Sequence, residues 1–332
     1  MTLLAHGLRP QVTGIERVVL SAADQVLRAR PDARLRVVVD ALARWPAGLP
    51  VQVDVVPVGR ARAELLHPRS GACAGATLVH SLGPALPSAP QGGRVYTVHD
   101  WGPLTGGAMP LRARAVWGAA ITQGVWRCDA LHLVSRETRS ATPRSLRRLV
   151  ARRRVTVGGV GAPAVEPGPP MPRGEALLHV GAPVRRRRLD LLLHAVAESP
   201  DLTVDLVGDD LVDLGGSRGA RVLGRLSDRD LEATYRHARA LVLLSEYEGM
   251  GLPVAEAAAL GTPSVVSAAV ARAQPGWVLP YLTVVDPEDA VALVAALRGA
   301  GRSATTPPLG SPELRQPDEA LLQLYRRLLP VG

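Results

Sequence analysis

Short apolar runs alternate along this chain with longer stretches of helical periodicity. The runs Thr2–Ala5, Leu35–Asp40, Val51–Val58, Thr77–His80, Val95–His99, Leu131–Ser135 and Val155–Val157 read as strands. Ile15–Ala29, Leu111–Trp126 and Glu137–Val150 read as helices between them. A Pro/Gly-rich segment, APAVEPGPPMPRG at 162–174, reads as a linker. The pattern then resumes, with strands at Ala176–Val180, Leu202–Val207, Leu241–Leu244, Pro263–Ser267 and Leu282–Val285. Leu189, Leu192, Leu193 and Val196 share one helical face, and further helices are expected at Asp228–Ala238, Asp289–Arg298 and Glu313–Leu329. Apolar strands alternating with helices predict an α/β protein with parallel sheets, in which ligands sit at the C-terminal ends of strands.

The most informative stretch is Leu241–Ser267, LVLLSEYEGMGLPVAEAAALGTPSVVS. A buried strand leads into a turn holding Gly249 and Gly251. Pro253 stands in the first turn of the next helix and Gly261 at its end, the expected punctuation of a helix. The turn offers backbone N–H groups at a helix N-terminus, a ready site for a diphosphate. Glu248 and Glu256 flank it, eight positions apart.

The E-x7-E spacing, the GMGLP turn and the EAAALGTPSVVS tail resemble the C-terminal signature of retaining glycosyltransferases of family 4 (glycosyl transferases group 1). Glu248, Gly249, Gly251, Leu252, Pro253, Glu256, Gly261 and Pro263 fall on that pattern. The resemblance implies the GT-B fold: two Rossmann-like domains with parallel sheets facing across a cleft. It divides the chain into an acceptor-side domain at 1–165, a nucleotide-sugar domain at 166–310, and a C-terminal helix at 311–332 that packs back on the first domain. The donor-binding residues it implies are Gly14, Arg186, Arg187, Arg225, Leu226, Glu248, Gly249, Met250, Gly251, Leu252 and Glu256. Glu248 would hydrogen-bond sugar hydroxyls and Glu256 the ribose. Backbone atoms near Arg225 and Leu226 would read the base. In VGAPVRRRRLD, Arg186 and Arg187 take the places of the family's basic diphosphate ligands, while Ala182 stands where other members have Arg. His99, in YTVHD, resembles the family's HD or HE dipeptide and would contact the donor sugar. His99, Glu248 and Arg187 are therefore the candidate catalytic residues, and His80 matches a looser acceptor-side position. Local alternatives stay open: Gly14 can cap a helix, Asp100 can orient His99 or cap the next turn, and Asp209-Asp210 reads as loop rather than as a metal-binding D-x-D. No metal and no cofactor is implied beyond the nucleotide-diphosphate sugar.

Composition adds less. All 39 basic residues are Arg, and Lys, Asn and Phe are absent, as GC-rich codon usage would produce. The cores must therefore be built from Leu, Val and Ala. The net charge of +9 divides into +13 over residues 1–165 and −4 over 166–332. Six Arg between Arg144 and Arg154 form either a solvated face or a peripheral contact with an anionic membrane, as in family relatives with lipid acceptors. Nucleic acid is not indicated, since no aromatic platform accompanies the charge. Cys73 and Cys128 form no paired motif. No signal peptide is visible, and no apolar run reaches the roughly 20 residues that span a bilayer. The expected location is cytoplasmic, with peripheral contact at the inner membrane face as an extension.

The expected activity is transfer of a sugar from a nucleotide-diphosphate sugar to an acceptor hydroxyl on a small natural product, a glycan or a lipid carrier. The alternatives are a nucleotide-sugar epimerase or phosphorylase of the same fold, and an inactive nucleotide-sugar-binding protein.

Overall fold

The computed structural model describes residues 1–4, 22–23, 26–27, 31–32, 34–40, 53–58, 73, 75–83, 93–105, 111–158, 173–301 and 319–328. Two compact units are present, one of Met1–Gly161 with Pro317–Gly332 and one of Ala162–Gln316.

The first unit holds a seven-stranded sheet of β1 (Thr2–Leu4), β2 (Leu35–Asp40), β3 (Val53–Val58), β4 (Leu78–Ser81), β5 (Gly93–Val98), β6 (Ala130–Leu133) and β7 (Arg154–Val157). Its order is β3-β2-β1-β4-β5-β6-β7, and every neighbouring pair is parallel. Helices α1 (Gly102–Thr105) and α2 (Leu111–Arg127) follow β5. Instead of the single helix expected at Glu137–Val150, there are two short ones, α3 (Arg136–Ser140) and α4 (Arg147–Ala151). Pro143 lies between them; it has no N–H to continue a helical ladder, and it biases the residue before it away from helix. Of the expected helix Ile15–Ala29, residues 22–23 and 26–27 are described and helical.

The second unit holds β8 (Leu177–Val180), α5 (Leu189–Ala197), β9 (Val204–Val207), β10 (Ala220–Gly224), α6 (Asp228–His237), β11 (Ala240–Leu243), α7 (Leu252–Ala259), β12 (Ser264–Ser267), α8 (Ala268–Ala273), β13 (Leu282–Val285) and α9 (Ala290–Gly299). The sheet order is β10-β9-β8-β11-β12-β13, again all parallel. Alternate strand residues feed opposite faces. Leu177, Val242 and Leu244 pack with α5 and α9 through Leu192, Val196, Leu293 and Leu297. Leu178, Leu241 and Leu243 pack with α6 and α7 through Tyr235, Val254, Ala257 and Ala258. Burial on both faces explains why these strands read as continuous apolar runs.

Strand order reverses between β8 and β11, so their C-terminal ends diverge and leave room for a ligand at that point. The loops leaving β8 and β11 carry Arg186, Arg187 and Glu248.

The helix α10 (Glu319–Leu328) belongs to the first unit. Its Tyr325 is fully buried, and its hydroxyl lies 2.6 Å from His80 Nδ1. Tyr325→Phe strands a polar nitrogen in the core, an expected cost of about 1–3 kcal/mol. Urea denaturation of the variant against the wild type measures it.

Candidate functional site

Arg187 is held in an unusual way. Residues Arg185–Arg187 form a single 3-10 turn, followed by Arg188 in the left-handed region at φ 49°. This folds the Arg187 side chain back over Gly181, where Nη1 donates to the Val180 carbonyl at 3.3 Å. A Cβ on Gly181 would lie 1.1 Å from that Nη1, and Gly181 has φ 138°. Both the backbone conformation and the space therefore require glycine. Burial pushes the Arg187 pKa down, an effect opposed by the nearby Glu248 carboxylate and reinforced by Arg186. Its Nε is buried without a hydrogen-bond partner among the described residues. A half-buried cation with a buried, open Nε–H, at the end of a strand beside the sheet's reversal point, is suited to receive an anion.

Arg186 points to the other loop. Its Nη1 donates to the Tyr247 carbonyl at 2.9 Å and meets Glu248 Oε1 at 2.8 Å. Its guanidinium carbon lies 5.1 Å from the Tyr247 ring centroid, within cation–π range. Ser245 Oγ also donates to Glu248 Oε1, at 2.8 Å. Glu248 Oε2 has no partner among the described residues, so it is the acceptor left for a ligand.

The glycine turn then enters α7. Gly251 is the residue before the helix, at φ 63°, and Pro253 lies in the first turn. The end of α7 closes at Gly261, whose N–H bonds the Ala258 carbonyl while Thr262 N–H bonds Ala257, a helix-terminating motif. Gln274 braces the turn: Nε2 donates to the Met250 carbonyl at 2.7 Å and would sit 2.7 Å from a Cβ on Gly251. Nothing in the sequence singled out Gln274; it follows a helix, α8, that periodicity had not revealed. Glu256 is only 6% exposed, and its Oε2 accepts the Tyr235 hydroxyl at 2.9 Å. Tyr235 is another partner the sequence did not single out. Arg225 and Leu226 follow β10; the Arg225 guanidinium forms a two-pronged pair with Asp209 at 3.0 and 2.7 Å.

In the first unit, His99 follows β5 and is half-buried. Its Nε2 lies 2.8 Å from the Leu82 carbonyl. A carbonyl can only accept, so Nε2 carries the proton and Nδ1 the lone pair. Burial lowers the His99 pKa. Asp100 does not bond His99; its Oδ1 accepts from Gly102 N–H at 2.7 Å and caps the turn into α1. The acceptor-side expectation for His80 is corrected. This histidine is fully buried, with Nδ1 on Tyr325 and Nε2 on Thr97 Oγ1 at 2.7 Å, so neither ring nitrogen remains for a ligand. Gly14 lies outside the described residues.

Arg144, Arg147, Arg148, Arg152 and Arg154 are exposed, while Arg153 turns inward to the Val125 and Trp126 carbonyls. Among the described residues, no helix is long and apolar enough to cross a membrane, and no three metal-binding side chains are grouped.

Residues 170–300, which include both loops of this site, match the family model described as Glycosyl transferases group 1. That segment is similar to the glycosyl transferases group 1 family. No curated protein matches the sequence. Among solved structures, sucrose-phosphate synthase from Thermosynechococcus elongatus is similar over 99% of each chain at 18% identity, with a TM-score of 0.70. Anabaena Alr3699/HepE, solved in complex with UDP and glucose, covers 99% of this chain and 95% of its own at 13% identity and a TM-score of 0.63. WaaG, a glycosyltransferase involved in lipopolysaccharide biosynthesis, covers 98% and 99% at 15% identity and a TM-score of 0.59. The fold is GT-B. Arg186, Arg187, Glu248, the glycine turn, Glu256, Arg225 and Leu226 all lie in the matched segment.

Proposed function

We propose that this protein is a retaining glycosyltransferase that moves a sugar from a nucleotide-diphosphate sugar to an acceptor hydroxyl. The observation that carries the reading is the half-buried Arg187, folded over Gly181 with a buried, open Nε and close enough to Glu248 for the carboxylate to influence its pKa. As the glycosidic bond breaks, negative charge grows on the departing phosphate. Arg187 and the N–H groups at the start of α7 are the groups that stabilise it. Glu248 Oε2 accepts a hydroxyl of the transferred sugar, and Glu256 holds the ribose. Backbone atoms at Arg225 and Leu226 border the base. His99 is proposed to contact the sugar through its unprotonated Nδ1. In this reading the leaving phosphate oxygen takes the acceptor proton and the configuration is retained. No metal is required, because Arg187 and the helix N-terminus supply the positive charge.

Cytoplasmic placement, with the exposed arginines of Arg144–Arg154 touching an anionic membrane surface, completes the proposal. A structurally similar protein solved with UDP and glucose makes uridine the first base to try. The test is a thermal-shift screen of UDP, GDP, dTDP and ADP and their sugar conjugates, with Glu256→Ala as control. A donor present at about 100 times its Kd adds about 2.7 kcal/mol of stability. Stabilisation by one nucleotide that is lost in the variant supports the reading; none by any of them overturns it. A product assay without acceptor separates the transferase from an epimerase, and binding with no transfer to any acceptor would favour an inactive binding protein.

A further inference from the structure

Arg186 and Arg187 are adjacent in one short turn, yet their guanidinium groups are occupied differently. Arg187 keeps an open N–H. Arg186 has its Nη1 on the Tyr247 carbonyl and on Glu248 Oε1, its guanidinium near the Tyr247 ring, and its own carbonyl bonded by the Glu246 N–H at 2.8 Å. The β8 and β11 loops are thus joined through both the side chain and the main chain of one residue. With Ser245 Oγ on the same oxygen, Glu248 Oε1 has two donors and the carboxylate is fixed with Oε2 as its open edge.

From this geometry we infer that Arg186 is a positioning residue for Glu248, and not a ligand of the donor's diphosphate. The inference rests on the donor-site reading above and assigns this arginine to the sugar end of that site. The electrostatic argument is direct. A carboxylate and a diphosphate repel when they share a site. Arg186 neutralises Glu248, so the carboxylate can serve sugar hydroxyls without opposing the phosphates, and Arg187 remains as the net positive charge. Only a planar guanidinium can meet a carbonyl and a carboxylate while lying against an aromatic ring; a lysine ammonium keeps the charge but not this geometry.

Calorimetric titrations with UDP, GDP, dTDP and ADP test this, each run beside its monophosphate and its glucose and mannose conjugates. Circular dichroism and melting curves verify that each variant is folded. In Arg186→Gln, the affinity for the diphosphate that binds wild type should stay within about twofold, while the ratio of sugar-conjugate to diphosphate Kd should rise about tenfold, equivalent to roughly 1.4 kcal/mol. Glu248→Gln should raise the same ratio, and the double variant should add little. Arg186→Lys should fall between wild type and Arg186→Gln. Arg187→Gln should instead weaken diphosphate relative to monophosphate. If Arg186→Gln weakens the diphosphate as much as Arg187→Gln does, or leaves the sugar ratio unchanged, the inference is overturned while the donor-site reading stands. If no nucleotide binds wild type, both fall together.

Discussion

Gly181→Ala is expected to disable sugar transfer about as thoroughly as removal of Arg187 itself. The new Cβ would lie 1.1 Å from Arg187 Nη1, so the guanidinium must leave its place against the Val180 carbonyl. The alternative is to move the strand end, but Gly181 is also at φ 138° and bonds the Val207 carbonyl at 2.8 Å. Forcing an L-residue into such a conformation costs about 1–3 kcal/mol. On the other side, Gly208 approaches so closely that a Cβ there would lie 2.7 Å from the Gly181 carbonyl oxygen. Loss of one preorganised donor to a developing oxyanion lowers turnover by about 10²–10³-fold. Arg187→Ala should show that loss without the backbone strain. Because the two substitutions remove one feature, the double variant should be hardly worse than Arg187→Ala alone. Steady-state rates with the donor found in the nucleotide screen, compared at a temperature where all variants are folded, measure this. Near-normal rates in Gly181→Ala would mean that Arg187 does its work from another position.

Much of this site was legible because its parts are local. Gly251, Pro253 and Gly261 punctuate one helix, and each can be read from its immediate neighbours. The role expected of Arg187 came from the family resemblance of the turn after β8. Non-local pairings are where sequence reading reached its limit. His80 ends a strand and so looked like a site residue, but its partner Tyr325 is 245 positions away. Arg186 was grouped with Arg187 by the turn's family resemblance, whereas its guanidinium answers to Tyr247 and Glu248, 61 and 62 positions on. Capping was also hidden where one residue has two roles. Ser267 closes β12 and, through Oγ, accepts the Val270 N–H that starts α8, so a helix went unseen behind a strand. At Pro143 the signal was present in the sequence, and the apolar periodicity on either side outweighed it.

Acid should start to destabilise this protein below about pH 6.5, above the ordinary carboxylate range. His80 and His132 are buried in the first unit and His179 in the second. Burial is the main cause that lowers all three pKa values: His132 falls to about 3, His179 to about 4, and His80 lies well below its ordinary value. The neighbouring His99 adds to the shift of His132, and Arg187 to that of His179. The folded state therefore holds these rings neutral, while the unfolded chain takes up protons near pH 6.5. Their stabilising contribution is complete above that pH and is lost as pH falls from 6.5 towards the folded values. Each neutral histidine makes stability fall by about 1.4 kcal/mol per pH unit in that window. Three such groups together remove about 4 kcal/mol per pH unit, so a total near the lower end of the typical range of about 5–15 kcal/mol is exhausted at about pH 5. The Asp129 carboxylate, whose pKa is lowered below 3.8 as its Arg94 pairing outweighs burial, loses its contribution only at lower pH, so the two effects separate. Urea denaturation at pH 8, 6.5, 5.5 and 4.5 measures the slope. In His132→Leu it should diminish by about one proton, or 1.4 kcal/mol per pH unit. Equal stability at pH 7 and pH 5 would show that these rings accept protons within the fold, in conflict with their burial against Thr97, Thr156 and the Val242 carbonyl.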